Sequence, residues 1–325
     1  MTRVEDSVAV SVVVASHGRH LRLRWLLNAL EEQTLDPERW EVIVVHTYGD
    51  ETAADVLDAH PLKRSGLLTH HRVEPGTGSP SRQRNIGCAV ARGELVAFTD
   101  DDCRPEPDWL ERMVAAAERA PGAVVQGRTK PDALEREILR APHVRTLKID
   151  PINPYKQAAN IAYPRELLED LSGFDERAIA GEDVGLWLRA KRAGAQIVPA
   201  PDAVVSHAVE SHTLPGIVRQ NLKWRHLAYL AKRHPEFRAE FPLRVFWDAD
   251  HLRTTAALVA VVGMRRNPLL AAVALPYVQH ALRRRGPGPT QRVIAAAEIP
   301  GQAIRQMAEV VGMAVGALRH RTLVL

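Results

Sequence analysis

SRQRNIGCAVARGELVAFTDDDCRPEPDWL, residues 81–110, is the stretch whose pattern decides the fold. SRQRNIGCAVAR opens a helix, and ELVAFTD is a short strand that runs almost unbroken by polar residues into Asp100, Asp101 and Asp102. PDWLERMVAAAERA (107–120) then has the spacing of an amphipathic helix. Upstream, VAVSVVVAS (8–16) and WEVIVVH (40–46) are two more apolar strands, separated by helical HLRLRWLLNALEEQ (20–33) and followed by helical ETAADVLDAH (51–60). Near-continuous apolar strands that alternate with helices predict an α/β fold: a Rossmann-like, mostly parallel sheet flanked by helices. Ligands of such sheets bind beyond the strand ends, which is where the three aspartates fall.

Downstream the pattern loosens. PRELLEDLSGF (164–174) is expected to be a helix ending near Gly173, EDVGLWLRAKRAG (182–194) another ending at Gly194, and AQIVPAPDAVVSH (195–207) one or two short strands. From Leu214 the chain reads as mainly helical. Its apolar blocks TTAALVAVVGM (254–264) and PLLAAVALPYVQHAL (268–282) are split by Arg265, Arg266 and Asn267, and GPGPT (286–290) is a turn before a last helix. The expected division is an α/β domain over residues 1–212 and a mainly helical C-terminal region over 213–325.

Composition narrows the class. The 325 residues are 46% hydrophobic and 25% charged, which suffices for a sizeable core. Cys88 and Cys103 are too few for a disulfide framework and lack zinc-site spacing. The opening MTRVEDSVAVSVVVASHG has acidic residues before a short apolar run, unlike a signal peptide, and no stretch approaches the roughly 18 apolar residues of a membrane span. A cytoplasmic location is the expectation. The net charge of +4 is uneven: residues 251–325 carry +8 and residues 1–250 carry −4. Aromatic residues are 5% of the chain and are not concentrated in the basic tail, so nucleic-acid binding is not expected.

Four sets of residues offer chemistry, and each also has a bland explanation. Closely spaced carboxylates raise one another's pKa and call for a cation, and residues i and i+2 of an extended segment address one side, so Asp100 and Asp102 suit Mg²⁺ or Mn²⁺. Taken alone, the three aspartates are better read as an acidic turn capping the helix that begins near Pro107. Glu182 and Asp183 stand at a helix start, as caps or as a general base for an attacking hydroxyl. His207 is an ordinary polar residue or a third metal ligand. Arg82, Arg84 and Asn85 begin a helix whose N-terminus and guanidinium groups could meet a diphosphate, or are simply a basic surface.

The order and spacing of these pieces resemble the family 2 glycosyltransferases. The matching blocks are SVVVASHGR, WEVIVV, SRQRNIGCAVARGELVAFTDDDCRPEPDWL, AANIAYPRELLEDLSGFDE, AGEDVGLWLRAKRAG and VVSH, covering roughly residues 8 to 210. The resemblance implies a GT-A fold, an inverting transfer from a nucleoside-diphosphate sugar, and a divalent cation, Mn²⁺ or Mg²⁺. By position it implies Asp102 as the direct metal ligand, Asp100 nearer the nucleotide with Asp101 beside it, His207 as a further ligand, and Asp183 as the base next to Glu182. Ala15, Ser16 and His17 match the loop that holds base and ribose, Arg84 and Asn85 the basic segment beside it, and Asn160 a position near the donor sugar.

The sequence departs from the family pattern in three places. His46 stands where members often carry a uracil-reading aspartate, which leaves the donor base open. Gly185 replaces a common second acidic residue, and QNLKW (220–224) has Lys223 where processive members have arginine. Implied acceptors are a glycan, a lipid-linked chain or a small molecule. The basic, apolar tail is expected either to rest on the inner face of the membrane, as a peripheral contact, or to form a helical subdomain or homo-oligomer contact. The competing functions are a sugar nucleotidyltransferase, for which ASHGRHLRLRW (15–25) offers only one glycine of a phosphate loop, and a non-catalytic nucleotide-sugar-binding protein.

Overall fold

Valines dominate the first strands because both faces of the sheet are covered. Val12 and Val14 of β1 (Val10–Ser16) bury against one layer and Val13 against the other, as a period of two requires. The structure, a computed structural model, describes residues 8–325. The first seven residues of the expected 1–212 domain lie outside them, and with them the acidic start on which the signal-peptide expectation rests.

The strands β1, β2 (Trp40–His46), β3 (Leu68–Arg72), β4 (Leu95–Phe98), β5 (Cys103–Pro105), β6 (Val124–Pro131), β8 (Ile161–Pro164) and β9 (Ile197–His207) form one sheet, in the order β3-β2-β1-β4-β8-β6-β9-β5. The pairs β2/β3, β1/β2, β1/β4 and β6/β9 are parallel, whereas β4/β8, β6/β8 and β5/β9 are antiparallel. The sheet is thus mixed and mostly parallel. AQIVPAPDAVVSH yields a single 11-residue strand, with a register shift where Gly127 and Arg128 of β6 face it.

Helices α1 (His20–Glu31) and α5 (Trp109–Arg119) cover one face of the sheet, through Leu23, Leu26, Leu27, Leu30, Trp109 and Met113. On the other face α6 (Arg165–Asp170) and α7 (Glu182–Arg192) contribute Leu168, Leu186 and Trp187. The remaining helices of this unit are α2 (Asp50–Ala53), which continues as a π-turn, α3 (Pro61–Arg64) and α4 (Pro80–Val90). Ser79 caps α4 by accepting from the Arg82 N–H. Gly87 on α4 faces Val13, and any Cβ there would lie 2.4 Å from that side chain, so glycine is what lets α4 seat on β1.

The chain separates into two compact units. The first runs to Glu137 and resumes over Thr146–Val209; the second is Ile138–Arg145 with Glu210–Leu325. In the second unit a small antiparallel pair, β7 (Val144–Arg145) and β10 (Glu210–Ser211), accompanies α8 (Leu214–Asn221), α9 (Leu227–Arg233), α10 (Ala249–Gly263), α11 (Leu275–Arg283) and the long α12 (Pro289–His320). Gly312 and Gly316 bring α12 against the backbone of Leu222 and Arg225. QNLKW belongs to this packing: Trp224 meets Trp247 edge-on at 6.0 Å and lies 4.8 Å from His251. Among the described residues no helix is long and apolar enough to cross a membrane.

Candidate active site

The parallel strands β1, β2 and β4 end side by side, and the segments that follow them gather the ionisable groups. After β4 the chain turns through Asp100, Asp101 and Asp102 rather than continuing extended. The i, i+2 expectation therefore needs correcting, because the turn aims the three carboxylates at different partners. Asp100 accepts from Arg84 at 3.0 Å. Asp101 accepts from the Ser16 hydroxyl at 2.7 Å and from the His17 N–H at 3.2 Å. Asp102 is held by Arg19 at 2.5 Å, and the same guanidinium reaches Asp101 at 3.3 Å. Burial pushes the Asp101 carboxyl up to about 6, against the pull of Ser16 and Arg19.

Arg19 is a site residue that the sequence reading missed. Its only signal there is its position, three residues beyond the strand end in ASHGR. Tyr48, whose hydroxyl lies 2.5 Å from Ser16, and Gln83, which donates to the carbonyls of Ser16 and Val45, also go unmarked in the sequence. Gln83 ties the ends of β1 and β2 to α4 and so fixes the loop that carries Ser16 and His17.

His207 ends β9. Its Nδ1 lies 2.8 Å from the Ala208 carbonyl, which makes that nitrogen the donor and leaves the Nε2 lone pair 3.6 Å from Asp102. A ring fixed by a backbone carbonyl with its other nitrogen toward a carboxylate is the orientation a metal-binding histidine needs. Ligand atoms of Asp102, Cys103 and His207 lie within 4.8 Å of one another. Cys103 is fully buried, burial raises its thiol well above its ordinary value, and hard divalent ions prefer oxygen and nitrogen donors to sulfur, so the donors that suit such an ion are Asp102 and His207. One carboxylate and one imidazole fit a hard divalent ion that draws its remaining ligands from water and a diphosphate.

The other half of the site is organised by Arg84. Its guanidinium bonds Glu182 at 2.7 Å and Asp100 at 3.0 Å, with 6% of the residue exposed. Burial works against its charge, but Glu182, Asp100 and Asp183 outweigh it and raise its pKa. Gly181, in the left-handed region at φ 74°, turns the chain into α7 just before Glu182 and Asp183. Asp183 accepts the N–H groups of Ala158 at 3.1 Å and Val184 at 2.8 Å. Burial, reinforced by the neighbouring Glu182 charge, pushes its carboxyl up to about 7. The two adjacent carboxylates have different surroundings: Glu182 is paired with Arg84, whereas Asp183 is buried on backbone N–H groups and is poised to exchange a proton near neutrality. Arg84→Ala should cost about 3 kcal/mol by stranding Glu182 and Asp100, and the shift of the urea unfolding midpoint would measure it.

Six other expected site residues take different places. Asn160 is fully buried, accepting from the Trp109 indole at 2.9 Å and donating to the carbonyls of Arg128 and Ala203, so it clamps β6, β9 and α5 and has no polar atom left for a sugar. Asn160→Ala should cost about 3 kcal/mol in chemical denaturation, since it strands an indole N–H and two carbonyls. Asn85 is spent on Phe174 and Glu176 and holds the turn at Gly173. His46 is 1% exposed, and burial together with His70 lowers its pKa to about 4. Its Nδ1 accepts from the Tyr48 N–H, so its Nε2–H points to His70 Nδ1, and His70 in turn meets Asp58 at 2.9 Å. Both its nitrogens are occupied within the protein. Ala15 is half-buried at the end of β1, whereas His17 and Arg82 are exposed, His17 bonding Thr47 and Arg82 the Thr77 carbonyl.

Past the strand ends, then, the α/β unit gathers two groups of ionisable side chains, Asp101 and Asp102 with Arg19 and His207, and Glu182 and Asp100 with Arg84 beside Asp183. Residues 11–172 match the family described as glycosyl transferase family 2, and the chain belongs to that family. It is 30% identical over 180 residues to the pre-mycofactocin glycosyltransferase of Mycobacterium tuberculosis, an alignment covering 52% of this chain and 38% of that one. The chain thus spans well under half the length of this curated relative. Two solved structures share its fold: a mannosyltransferase, PcManGT from Pyrobaculum calidifontis, in complex with GDP-Man and Mn²⁺ (TM-score 0.57, 19% identity, 96% of this chain and 86% of that one), and TarS of S. aureus in complex with UDP-GlcNAc (TM-score 0.54, 16% identity, 97% and 92%). Both are GT-A enzymes, the fold implied by the sequence.

Proposed function

We propose that this chain transfers a sugar from a nucleoside-diphosphate sugar to an acceptor hydroxyl with inversion, in the synthesis of a cell-envelope polysaccharide, glycolipid or other glycoconjugate. The observation that carries this reading is the division of labour among the carboxylates. Asp102 stands with His207 in a cation seat, and Asp183 is raised to about 7 at the start of α7. The GDP-Man, Mn²⁺ and UDP-GlcNAc held by proteins of the same fold support a nucleotide-sugar donor and a divalent cation here.

Asp183 takes the proton of the acceptor hydroxyl as its oxygen bonds to the anomeric carbon, while the bond from that carbon to the diphosphate breaks and the nucleoside diphosphate leaves with the electron pair. A single displacement inverts the carbon. The Ala158 and Val184 N–H groups hold Asp183 in place, and Arg84 holds the neighbouring Glu182 carboxylate. Mn²⁺ or Mg²⁺ held by Asp102 and His207 would supply the positive charge that lets the diphosphate depart. The loop of Ser16 and His17 receives the nucleoside. His46 offers a uracil ring no free acceptor, so the donor base is read by other groups. Incubation with UDP-, GDP- and dTDP-sugars plus Mn²⁺ tests the reading: release of one nucleoside diphosphate, stimulated by an acceptor, supports it, and absence of any donor binding overturns it.

A further inference from the structure

Outside the catalytic unit, the most unusual surface is a hairpin tip in the second unit. α10 ends at Gly263, the chain passes through Met264–Asn267, and a 3₁₀ segment (Pro268–Ala274) folds back on it. A Cβ on Gly263 would lie 2.6 Å from Leu270, so glycine is what allows the two arms to close. The arms present aliphatic side chains outward. Val261 and Val262 are 61% and 73% exposed, Leu269 is 81% exposed, and Met264, Val273 and Leu275 are also exposed. A cluster of this kind at one projection is not the scatter of single apolar residues that ordinary surfaces carry. Arg265 and Arg266 sit at the turn among them, both exposed.

The charge around this tip indicates what covers it. From Thr254 to Ala297 the chain contains six arginines and no acidic residue. Glu298, the first acidic residue after that stretch, is paired with Arg285. A second copy seated on the tip would bring arginines against arginines. An anionic lipid surface would accept the aliphatic side chains among its acyl chains and the guanidinium groups among its headgroups. We propose that the 261–275 hairpin tip is a shallow docking element for the anionic surface of a bilayer, which it enters without crossing. This reading is independent of the catalytic one, since it rests on the second unit alone.

Flotation of the full chain with vesicles of phosphatidylglycerol and phosphatidylcholine tests it, beside pure phosphatidylcholine. The chain should float with the anionic vesicles, less so at 0.5 M salt, and bind neutral ones at least tenfold more weakly. Val262→Ser with Leu269→Ser should cut binding about tenfold, and Arg265→Gln with Arg266→Gln roughly fivefold per arginine. These side chains are exposed, so circular dichroism and the thermal midpoint should not change. Failure to float, or flotation indifferent to all four substitutions, overturns the proposal. So does a dimer, seen by light scattering, that the serine substitutions dissociate, or capture of an acidic protein by a chain that ignores vesicles.

Discussion

Asp183→Asn is expected to lower kcat by three to four orders of magnitude, at the upper end of what a positioned general base contributes, with donor binding changed less than threefold. The asparagine keeps the shape and one carbonyl acceptor for the Ala158 or Val184 N–H, but cannot take a proton. The pH profile makes the prediction specific. The Asp183 carboxyl is raised to about 7, so below that pH the acid form dominates and kcat should fall tenfold per unit, while above it the base form dominates and the rate should level off. The same shift acts on stability with the opposite sense. A carboxyl whose folded value lies above its unfolded one disfavours the fold as it ionises, so the variant should gain stability relative to wild type as pH rises from about 4 to 7, with the gain complete above 7. Thermal midpoints of both proteins at pH 5 and pH 8 would read this. A pH-independent difference, or a kcat loss below tenfold, would assign the base to another group.

How much of this was legible in the sequence depends on whether a residue's role is local. The strands β1, β2 and β4 show themselves because burial on both faces demands unbroken β-branched runs, and α5 and α7 because one face must bury at helical spacing. β3 and β6 escape the pattern: LTHHR lies at the sheet edge and is mostly half-buried or exposed, and β6 turns polar after Gly127. The acidic residues 100–102 and 182–183 are visible as motifs, but what distinguishes Asp102 from Asp100, or Asp183 from Glu182, is a partner far along the chain. Arg84 lies 98 positions from Glu182, and Arg19 lies 83 from Asp102. Asn160 shows the converse: its motif position suggested a ligand, whereas the convergence of β6, β9 and α5 on it is visible only in three dimensions.

Arg19 also bears on the second large effect, that of Asp102→Ala. The Arg19 guanidinium bonds Asp102 and reaches Asp101, so a divalent ion must compete with it for the same carboxylate. Asp102→Ala removes the strongest of the two usable donors and leaves His207 alone, whose Nε2 cannot retain a hard cation unaided. Turnover should fall by about 10²–10³, the range for loss of one group that stabilises charge on a departing oxygen, and added Mn²⁺ should not restore it. Titration calorimetry of Mn²⁺ in the presence of a non-hydrolysable donor should show affinity lost by at least tenfold in Asp102→Ala and gained in Arg19→Gln, which frees the carboxylate. The gain separates this arrangement from simple damage to the cleft, since a damaged cleft would bind the ion more weakly in both variants. If Asp102→Ala keeps wild-type Mn²⁺ affinity, the cation seat lies away from His207, and Asp102 serves only to anchor Arg19 at the end of β1.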